Sequence, residues 1–547
     1  MFISVVIKSE YTQYAYRDNF YMKNLKHALE NNWIIITNEY IGKHFFEMQD
    51  KVQDRFIKEF EMKRFTPEEV ASVEQYYIPD AIFDDKEKEF GSRTEMLFYL
   101  TEQAFPELEA CLSDMIEQIK QKHPNEKIDG MFYCAETCQP FRNVCAKYDI
   151  PLIPYCFSAF KIPHGYRQTL YYANTKGYLY NSDECELRYR NYLTEPIANI
   201  PIFSNRELVA MIGKERTLPL IQLMHHATQY EMGVCCECYE IIPQFFAGNI
   251  YSDDDIFYEC NELYSPEQIK VRSHAMQLDK IQVNRTIVHN DPASYILSCK
   301  RLAAVRSQIM LKVLLWGRTG INRKNTHAFS FMCEKDYSST SVADIKAVNY
   351  YIICYLIPAD LMFSKEYWDW RMTNPKETEI YQHHLKFYID KLNLPQTILT
   401  EQDEPTRFKS ILQSRGCDDE LIRILIEDNQ NFEIDYNTAS SRIVVNGKSY
   451  WRLNKIENAV RHFHIELNES ADTIDFYPLD DVAGCAKLVS VKVDGKSLEV
   501  SQYEDFKYIP KVSGHYSLPI AKSENKLVID ICWEYMSDKE FLESQGI

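Results

Sequence analysis

Three residues in this chain have the types and spacing to hold an anion. The stretch VRSHAM (Val271 to Met276) sets Arg272 and His274 two apart, so on an extended strand both side chains leave the same face. A guanidinium makes bidentate contacts to an anion, and a neighbouring imidazole adds one more hydrogen bond. Further on, Ser307 stands between Arg306 and Gln308 at the mouth of an apolar run, IMLKVLLW (Ile309 to Trp316). Apolar positions there at i, i+3 and i+4 predict a buried helix over Gln308 to Trp316, stopped by Gly317. A serine at a helix start either caps it, satisfying an orphan N–H, or meets a phosphate beside the free N–H groups. Ser307 is open to both readings.

Carboxylates and a histidine supply the acid–base candidates. In GMFYCAETCQPFRNVC, Glu136 directly follows a strand-like run and Thr137 stands at a helix start. A carboxylate so placed can take the proton of an acceptor hydroxyl, and the bland alternative is a solvated or capping glutamate. The loop FSAFKIPHGYRQ offers His164, with Tyr166 and Arg167 beside it. NIYSDDDIFYEC contains a D-x-D, Asp253 to Asp255, a pattern that can hold a divalent metal, and Asp255 is a further catalytic candidate. Ser252 with Asp255 also forms an S-x-x-D cap, which accounts for more of these residues because the helix dipole welcomes first-turn aspartates. Cys235, Cys236 and Cys238 lack a second pair at ligand spacing and read as buried thiols. No metal site is expected.

The elements that must position these residues alternate. FISVVI and NWIIIT read as strands, PEEVASVEQYY and FPELEACLSDMIEQIKQK as helices, IDGMFYCAE and IPLIPYCF as strands again. From TLPLIQLMHH the pattern restarts and leads to the strand QIKVRSHA and the helix after Ser307. Two α/β halves imply a cleft, with ligands at strand C-terminal ends. HFHIELN, DTIDFYPL, KLVSVKVDGKSLEV and NKLVIDICWEY are short β runs, with VDGK a hairpin signal, and predict a small β-sandwich. In YWDWRMTNPKETEIYQHH, Trp368, Trp370, Arg371, His383 and His384 read as packing between the halves.

At 547 residues the chain predicts about three domains. Its net charge of −19 argues against a nucleic-acid partner, because phosphates are met by a basic surface. No apolar run reaches the roughly 20 residues that span a bilayer, and the first residues lack the basic flank and cleavage site of a secretory leader. Sixteen scattered cysteines suit reduced, buried thiols, and a cytoplasmic location at or near the inner face of the membrane is expected. No dinucleotide-binding, P-loop, zincin or nucleophile-elbow motif occurs.

A strand ending in R-x-H, then a segment ending in Ser, then a helix closing in a small-Gly-basic turn resembles the donor half of GT-B glycosyltransferases of the bacterial capsule- and lipopolysaccharide-assembly kind. The matching pieces are VRSHAM, SCKRLAAVRSQ (Ser298 to Gln308) and LLWGR (Leu314 to Arg318), within about residues 215–390, while the first half matches through its layout. Ala275 stands where proline is usual in that family, and Lys312 where many members have Glu. The tail around DFYPLDD is similar to a β-rich appendage of such enzymes, with Tyr477 in place of an acidic residue.

The resemblance implies an α/β fold of two Rossmann-like domains facing a cleft, plus a C-terminal all-β sandwich. The expected domains are 1–205 for the acceptor, 206–394 for the nucleotide-sugar donor, 395–455 as a helical connector and 456–547 as the sandwich. Arg272, His274, Arg306, Ser307 and Gln308 are expected to bind the donor, and Glu136, His164 and Asp255 to serve catalysis. The expected function is transfer of a sugar from a nucleotide sugar, CMP-linked by preference, to a surface polysaccharide or its glycolipid precursor, without cofactor or metal. A sugar-nucleotide epimerase and a non-catalytic glycan- or partner-binding scaffold are the alternatives.

Overall fold

Fully buried runs of β-branched and apolar residues become the central strands. A computed structural model shows them and describes the chain outside residues 8–13, 53, 55–56, 58–61, 135–137, 163–167, 176–180, 196–200, 237–251, 273–291, 428–439, 459, 480–483, 504, 510–513, 521–525, 537 and 545–547. In the first unit β1 (Phe2–Val6), β2 (Ile34–Asn38), β3 (Gln75–Ile78), β4 (Gly130–Cys134) and β5 (Leu152–Ile162) run parallel in the order β3-β2-β1-β4-β5. β1, β2 and β4 are buried along their whole length, as strands covered on both faces must be. β6 (Gln168–Ala173) then pairs antiparallel with β5. PEEVASVEQYY divides into a short helix, Pro67–Ser72, and the strand β3, because Val73 turns extended after one and a half turns.

The second unit is a sheet of four parallel strands, β7 (Tyr230–Cys235), β8 (Ile269–Arg272), β9 (Cys299–Ala303) and β10 (Thr319–Ile321), ordered β10-β9-β7-β8. TLPLIQLMHH is not a strand of this unit. It lies in a 3-10 helix, Glu215–His225, where Pro219 has no N–H for a ladder.

From the second unit the chain returns to the first. β11 (Ile357–Pro358) adds to the edge of the first sheet, antiparallel to β6, with its proline on an edge strand where no ladder bond is lost. Met362, Phe363, Tyr367 and Trp368 then enter the first unit's core beside Phe132, Tyr155 and Tyr171. The Trp368 ring meets Phe132 edge-on at 5.1 Å, and its Nε1 donates to the Met362 carbonyl at 2.6 Å. The aromatic run therefore packs across the two halves as its sequence predicts.

The last strands form two antiparallel sheets. One holds β12 (Ser441–Val445), β13 (Lys448–Arg452), β16 (Thr473–Tyr477) and β20 (Tyr516–Pro519). The other holds β14 (Lys455–Glu457), β15 (Val460–Leu467), β17 (Gly484–Val493), β18 (Lys496–Leu498), β19 (Lys507–Ile509) and β21 (Leu527–Met536). Their inner faces share one core that includes Phe463, Phe476 and Trp533. β12 and β13 fall inside the stretch 395–455 read as a helical connector, and the chain turns between them at Asn446 and Gly447, both at positive φ. Asp494 and Gly495 make the matching turn of VDGK.

Where the chain crosses back, His384 is fully buried on the helix Glu377–Lys391. Its Nδ1 meets the Ile353 carbonyl at 2.8 Å, so that nitrogen carries the proton, and Nε2 accepts from the Tyr367 hydroxyl at 2.8 Å. Burial, with Arg371 nearby, pushes this imidazole down to about 3. Unfolded, it titrates near 6.5, so below that pH the unfolded chain binds a proton the native chain refuses. The stability this gives is present above pH 6.5 and is lost as pH falls toward about 3. His384→Gln should make the slope of unfolding free energy against pH shallower by up to about 1.4 kcal/mol per unit in the acid range, read from urea midpoints. An unchanged slope would contradict the buried, neutral imidazole.

Candidate active site

In a parallel sheet the ligand end is the carboxyl edge, at the point where the strand order reverses. In the second unit that point is at β7, which has β8 on one side and β9 on the other. Register sets the row at this edge. Cys235 pairs with Arg272, Val234 with Ala303, and Ala303 with Ile321. One residue beyond lie Ala304 and Asn322. Arg272 thus ends its strand at the reversal point, half-buried, with its guanidinium 5.8 Å from the centre of the Tyr295 ring. Tyr295 is itself locked beneath the sheet, donating to the carbonyls of Val234 at 3.0 Å and Lys270 at 3.1 Å.

The segment SCKRLAAVRSQ proves to be the strand β9 followed by a tight turn. Arg306 is buried, Ser307 and Gln308 are half-buried, and the helix Ile309–Leu315 follows. Gln308, not Ser307, occupies the N-cap position, and no side chain caps the helix. The capping reading of Ser307 is therefore corrected. The amides of Met310 and Leu311 are engaged by the carbonyls of Ser307 and Gln308, at 3.1 and 3.2 Å, which narrows the set of free N–H groups expected at this mouth. At the far end Gly317 adopts φ +68° and the Arg318 amide reaches back to the Val313 carbonyl at 3.0 Å, the predicted stop. The Arg318 side chain donates to the carbonyls of Met224 and Leu297, at 3.0 and 3.1 Å, so the basic member of the Gly-basic turn is a brace.

Asn322 holds this turn in shape, and its sequence context alone does not single it out. Fully buried at the end of β10, it donates to the Val305 carbonyl at 2.8 Å and to Thr326 Oγ1 at 3.0 Å, and its Oδ1 accepts from the Thr326 amide at 3.2 Å. Thr326 Oγ1 bonds the same Val305 carbonyl, and Lys335 Nζ donates to the Asn322 carbonyl at 2.5 Å. Its one sequence signal is a polar amide directly after a short apolar strand, at a place where only the pairing with β9 gives it a target.

The three aspartates part company. Helix Asp253–Leu263 begins at the carboxyl edge. Near its end Tyr264 meets Arg301, two residues into β9, at 2.6 Å, whereas Glu259, nearer its start, pairs at 2.7 Å with Arg323, just past the end of β10. Ser252 and Asp255 close a capping box, with Asp255 Oδ2 accepting from the Ser252 amide at 2.7 Å, and these backbone and hydroxyl bonds hold the carboxyl below its ordinary range. Asp255 is exposed, so its expected place at the reacting centre gives way to the cap. Asp253, in contrast, is only 3% exposed. It is the carboxylate that this edge turns inward.

Glu136, His164 with Tyr166 and Arg167, and His274 lie outside the described residues, as does Cys238. The strand β4 that leads to Glu136 is present and ends at Cys134 beside β1, where the first sheet reverses its order. Cys235 and Cys236 are buried thiols outside any disulfide. Among the described residues no three His, Cys, Asp or Glu side chains gather as a metal would require. No described helix is long and apolar enough to cross a membrane.

Compared with known proteins, residues 10–178 match the glycosyltransferase 99 family N-terminal domain. The first unit is thus similar to a glycosyltransferase. The match falls on the half that the sequence read through its layout, and not on residues 215–390, where the motifs lie. No curated protein matches the chain. Among solved structures, the beta Kdo 2,7 transferase of Thermosulfurimonas dismutans KpsC is 13% identical over 45% of this chain and 86% of its own, with a TM-score of 0.30. The beta Kdo 2,4 transferase of the same KpsC is 12% identical over 40% and 78%, at 0.26. UDP-GlcNAc 2-epimerase from Methanocaldococcus jannaschii is 12% identical over 64% and 90%, at 0.22.

Asn322→Ala should release the Val305–Gln308 turn while leaving the sheet paired. Because buried partners lose their hydrogen bonds, the expected cost is about 1–3 kcal/mol of stability, measured by denaturant midpoint. Asn322→Asp, which keeps an acceptor for the Thr326 amide and loses both donors, should cost at least as much. Parent-like stability in both variants would show that the turn stands without this clamp.

Proposed function

We propose that the chain is a glycosyltransferase that moves a sugar from a nucleotide donor to a surface polysaccharide or its glycolipid precursor. The observation that carries the reading is the glycosyltransferase 99 family match over residues 10–178. The reading is supported by a second parallel sheet in which Arg272 ends β8, Ser307 lies in the turn after β9 and the buried Asp253 starts the helix that follows β7, residue types that suit a nucleotide-sugar phosphate and its reacting sugar.

Donor binding falls to the second unit. Arg272 at the end of β8 and the Ser307 hydroxyl in the turn after β9 meet the donor phosphates, with His274 as a further donor and Arg306 and Gln308 flanking Ser307. As the glycosidic bond to phosphate breaks, negative charge grows on the leaving nucleotide, and these groups are fixed before it does so. Two carboxylates serve the sugar and the acceptor. Glu136, just past β4 of the first unit, takes the proton of the acceptor hydroxyl, and Asp253 is the buried carboxylate on the donor side. The resemblance to capsule-assembly enzymes with an R-x-H strand end implies CMP-linked acid sugars as donors. The charge is met by protein groups and no metal takes part, so transfer should survive EDTA. Loss on chelation, restored by manganese or magnesium, would move the D-x-D aspartates into a metal site.

The binding half of the reading is tested by Ser307→Ala, which should weaken nucleotide binding by about 1–3 kcal/mol in calorimetry against CMP, UDP and GDP. Parent-like affinity for whichever nucleotide binds would remove Ser307 from the site. The chemical half is tested by Asp253→Asn and Glu136→Gln, each expected to keep nucleotide affinity and to lower transfer by a factor of about 10²–10⁴. Asp255→Asn serves as the control on the same helix, with turnover kept and about 0.3–1 kcal/mol of stability lost with the first-turn charge. If Asp255→Asn abolished transfer and Asp253→Asn did not, the assignment of the two aspartates would be reversed.

A further inference from the structure

The larger sheet of the sandwich carries a nucleophile beside a base on its outer face. Register pairs His462 of β15 with Cys532 of β21. Alternation sends both side chains outward, while their neighbours Phe463, Ile531 and Trp533 fill the core. Cys532 Sγ lies 2.9 Å from His462 Nδ1, and His462 Nε2 lies 3.5 Å from Glu457 Oε2 of β14. Thiol, imidazole and carboxylate follow one another across three adjacent strands, the order in which a cysteine is activated by a base that a third group orients.

The surroundings keep this thiol reachable. Cys532 is half-buried, and the His462 side chain is 38% exposed. The carboxylates that flank Cys532 along β21 are each matched by their own partner, Asp530 by His464 at 2.6 Å and Glu534 by Lys487 at 2.9 Å. Cys111 and Cys417 are half-buried as Cys532 is, while Cys145, Cys299 and Cys333 are buried. Burial pushes Cys111 upward and Cys145, Cys299, Cys333 and Cys417 up to about 12.

We propose that Cys532 and His462 form a thiol–disulfide exchange site that takes low-molecular-weight disulfides. The site is independent of the α/β units and of the reading given for them. The proton on Sγ passes to Nδ1 of His462 as sulfur attacks one sulfur of the incoming disulfide. A new S–S bond joins Cys532 to that half, the old S–S bond breaks, and the other half leaves as a thiolate that takes up the proton held by the imidazole. Cys532 is oxidised and the departing half is reduced, so no further oxidant is needed.

The test uses the reduced, full-length protein and oxidised glutathione. Adducts are followed by intact mass and located by peptide mass spectrometry. The first adduct should map to Cys532 and vanish in Cys532→Ser. His462→Gln should slow its formation by about tenfold or more, because the base that accepts the thiol proton is gone. A first adduct on any other cysteine, with Cys532 unmodified, would overturn the proposal, as would an unchanged rate in a folded His462→Gln protein. Mapping on the parent protein needs no variant, so the site can be refuted even if His462→Gln melts early.

Discussion

The return of the chain to its first sheet is the constraint on which the relation of the two α/β units depends. A linker alone would leave them free to reorient. Here β11 pairs with β6, and Trp368 is buried against Phe132, deep in a core made by β1 and β4. Burial of a tryptophan removes a large apolar area from water, and its N–H must find an acceptor, which the Met362 carbonyl supplies. Asn31 adds two bonds across the same junction, donating to the Phe363 carbonyl at 2.9 Å and accepting from the Lys365 amide at 3.1 Å. The carboxyl edge of the second sheet is thereby tied to the first unit. Tyr172 of β6 and His327, a few residues past β10, have ring centres 5.0 Å apart.

A second set of constraints joins the second α/β unit to the helices and strands C-terminal to it, and it is made of buried charge. Arg407 and Glu207 form a bidentate pair at 2.8 and 3.1 Å, with side chains 4% and 0% exposed. Burial raises the Glu207 carboxyl above its ordinary range while Arg407 pulls it back, the balance expected when desolvation competes with a close counter-charge. Arg415 donates to the carbonyl of Gly213 at 3.0 Å and to Glu215 at 3.1 Å. Arg452 of β13 holds Asp418 at 2.6 Å and Glu420 at 3.0 Å. Each pair gives direction where apolar contact would not, because a guanidinium satisfies a carboxylate in few geometries. Arginines thus seat the sandwich on the intervening helices, and those helices on the α/β body.

At the carboxyl edge the same logic operates on a smaller scale. Ser307 owes its place to a turn, and the turn owes its shape to Asn322 and Thr326, which lie beyond the next strand. The helix after Ser307 is short, and its first amides are already engaged. A phosphate arriving there would therefore rely more on side chains, Arg272 and Ser307 among them, than on a helix end.

Local pattern was enough to determine much of this protein. The parallel strands are legible because strands covered on both faces read as unbroken apolar runs, and FISVV and GMFYC are such runs. The stop at Gly317 and the box at Ser252 and Asp255 are likewise local, since each is a hydrogen bond between residues a few positions apart. VVNGKSYW carried its hairpin signal too, yet a charged, helix-biased neighbourhood hid it inside the connector. Tertiary structure alone decided the rest. Asp253 and Asp255 are the same residue type two positions apart, and only the packing of their helix on the sheet turns one inward and leaves the other exposed. Asn322 acquires a role only when β10 lies beside β9, and Cys532 a base only when β21 pairs with β15, some seventy residues away. Sequence period sets which face a side chain leaves by, but what it meets there depends on strands brought together by burial from far along the chain.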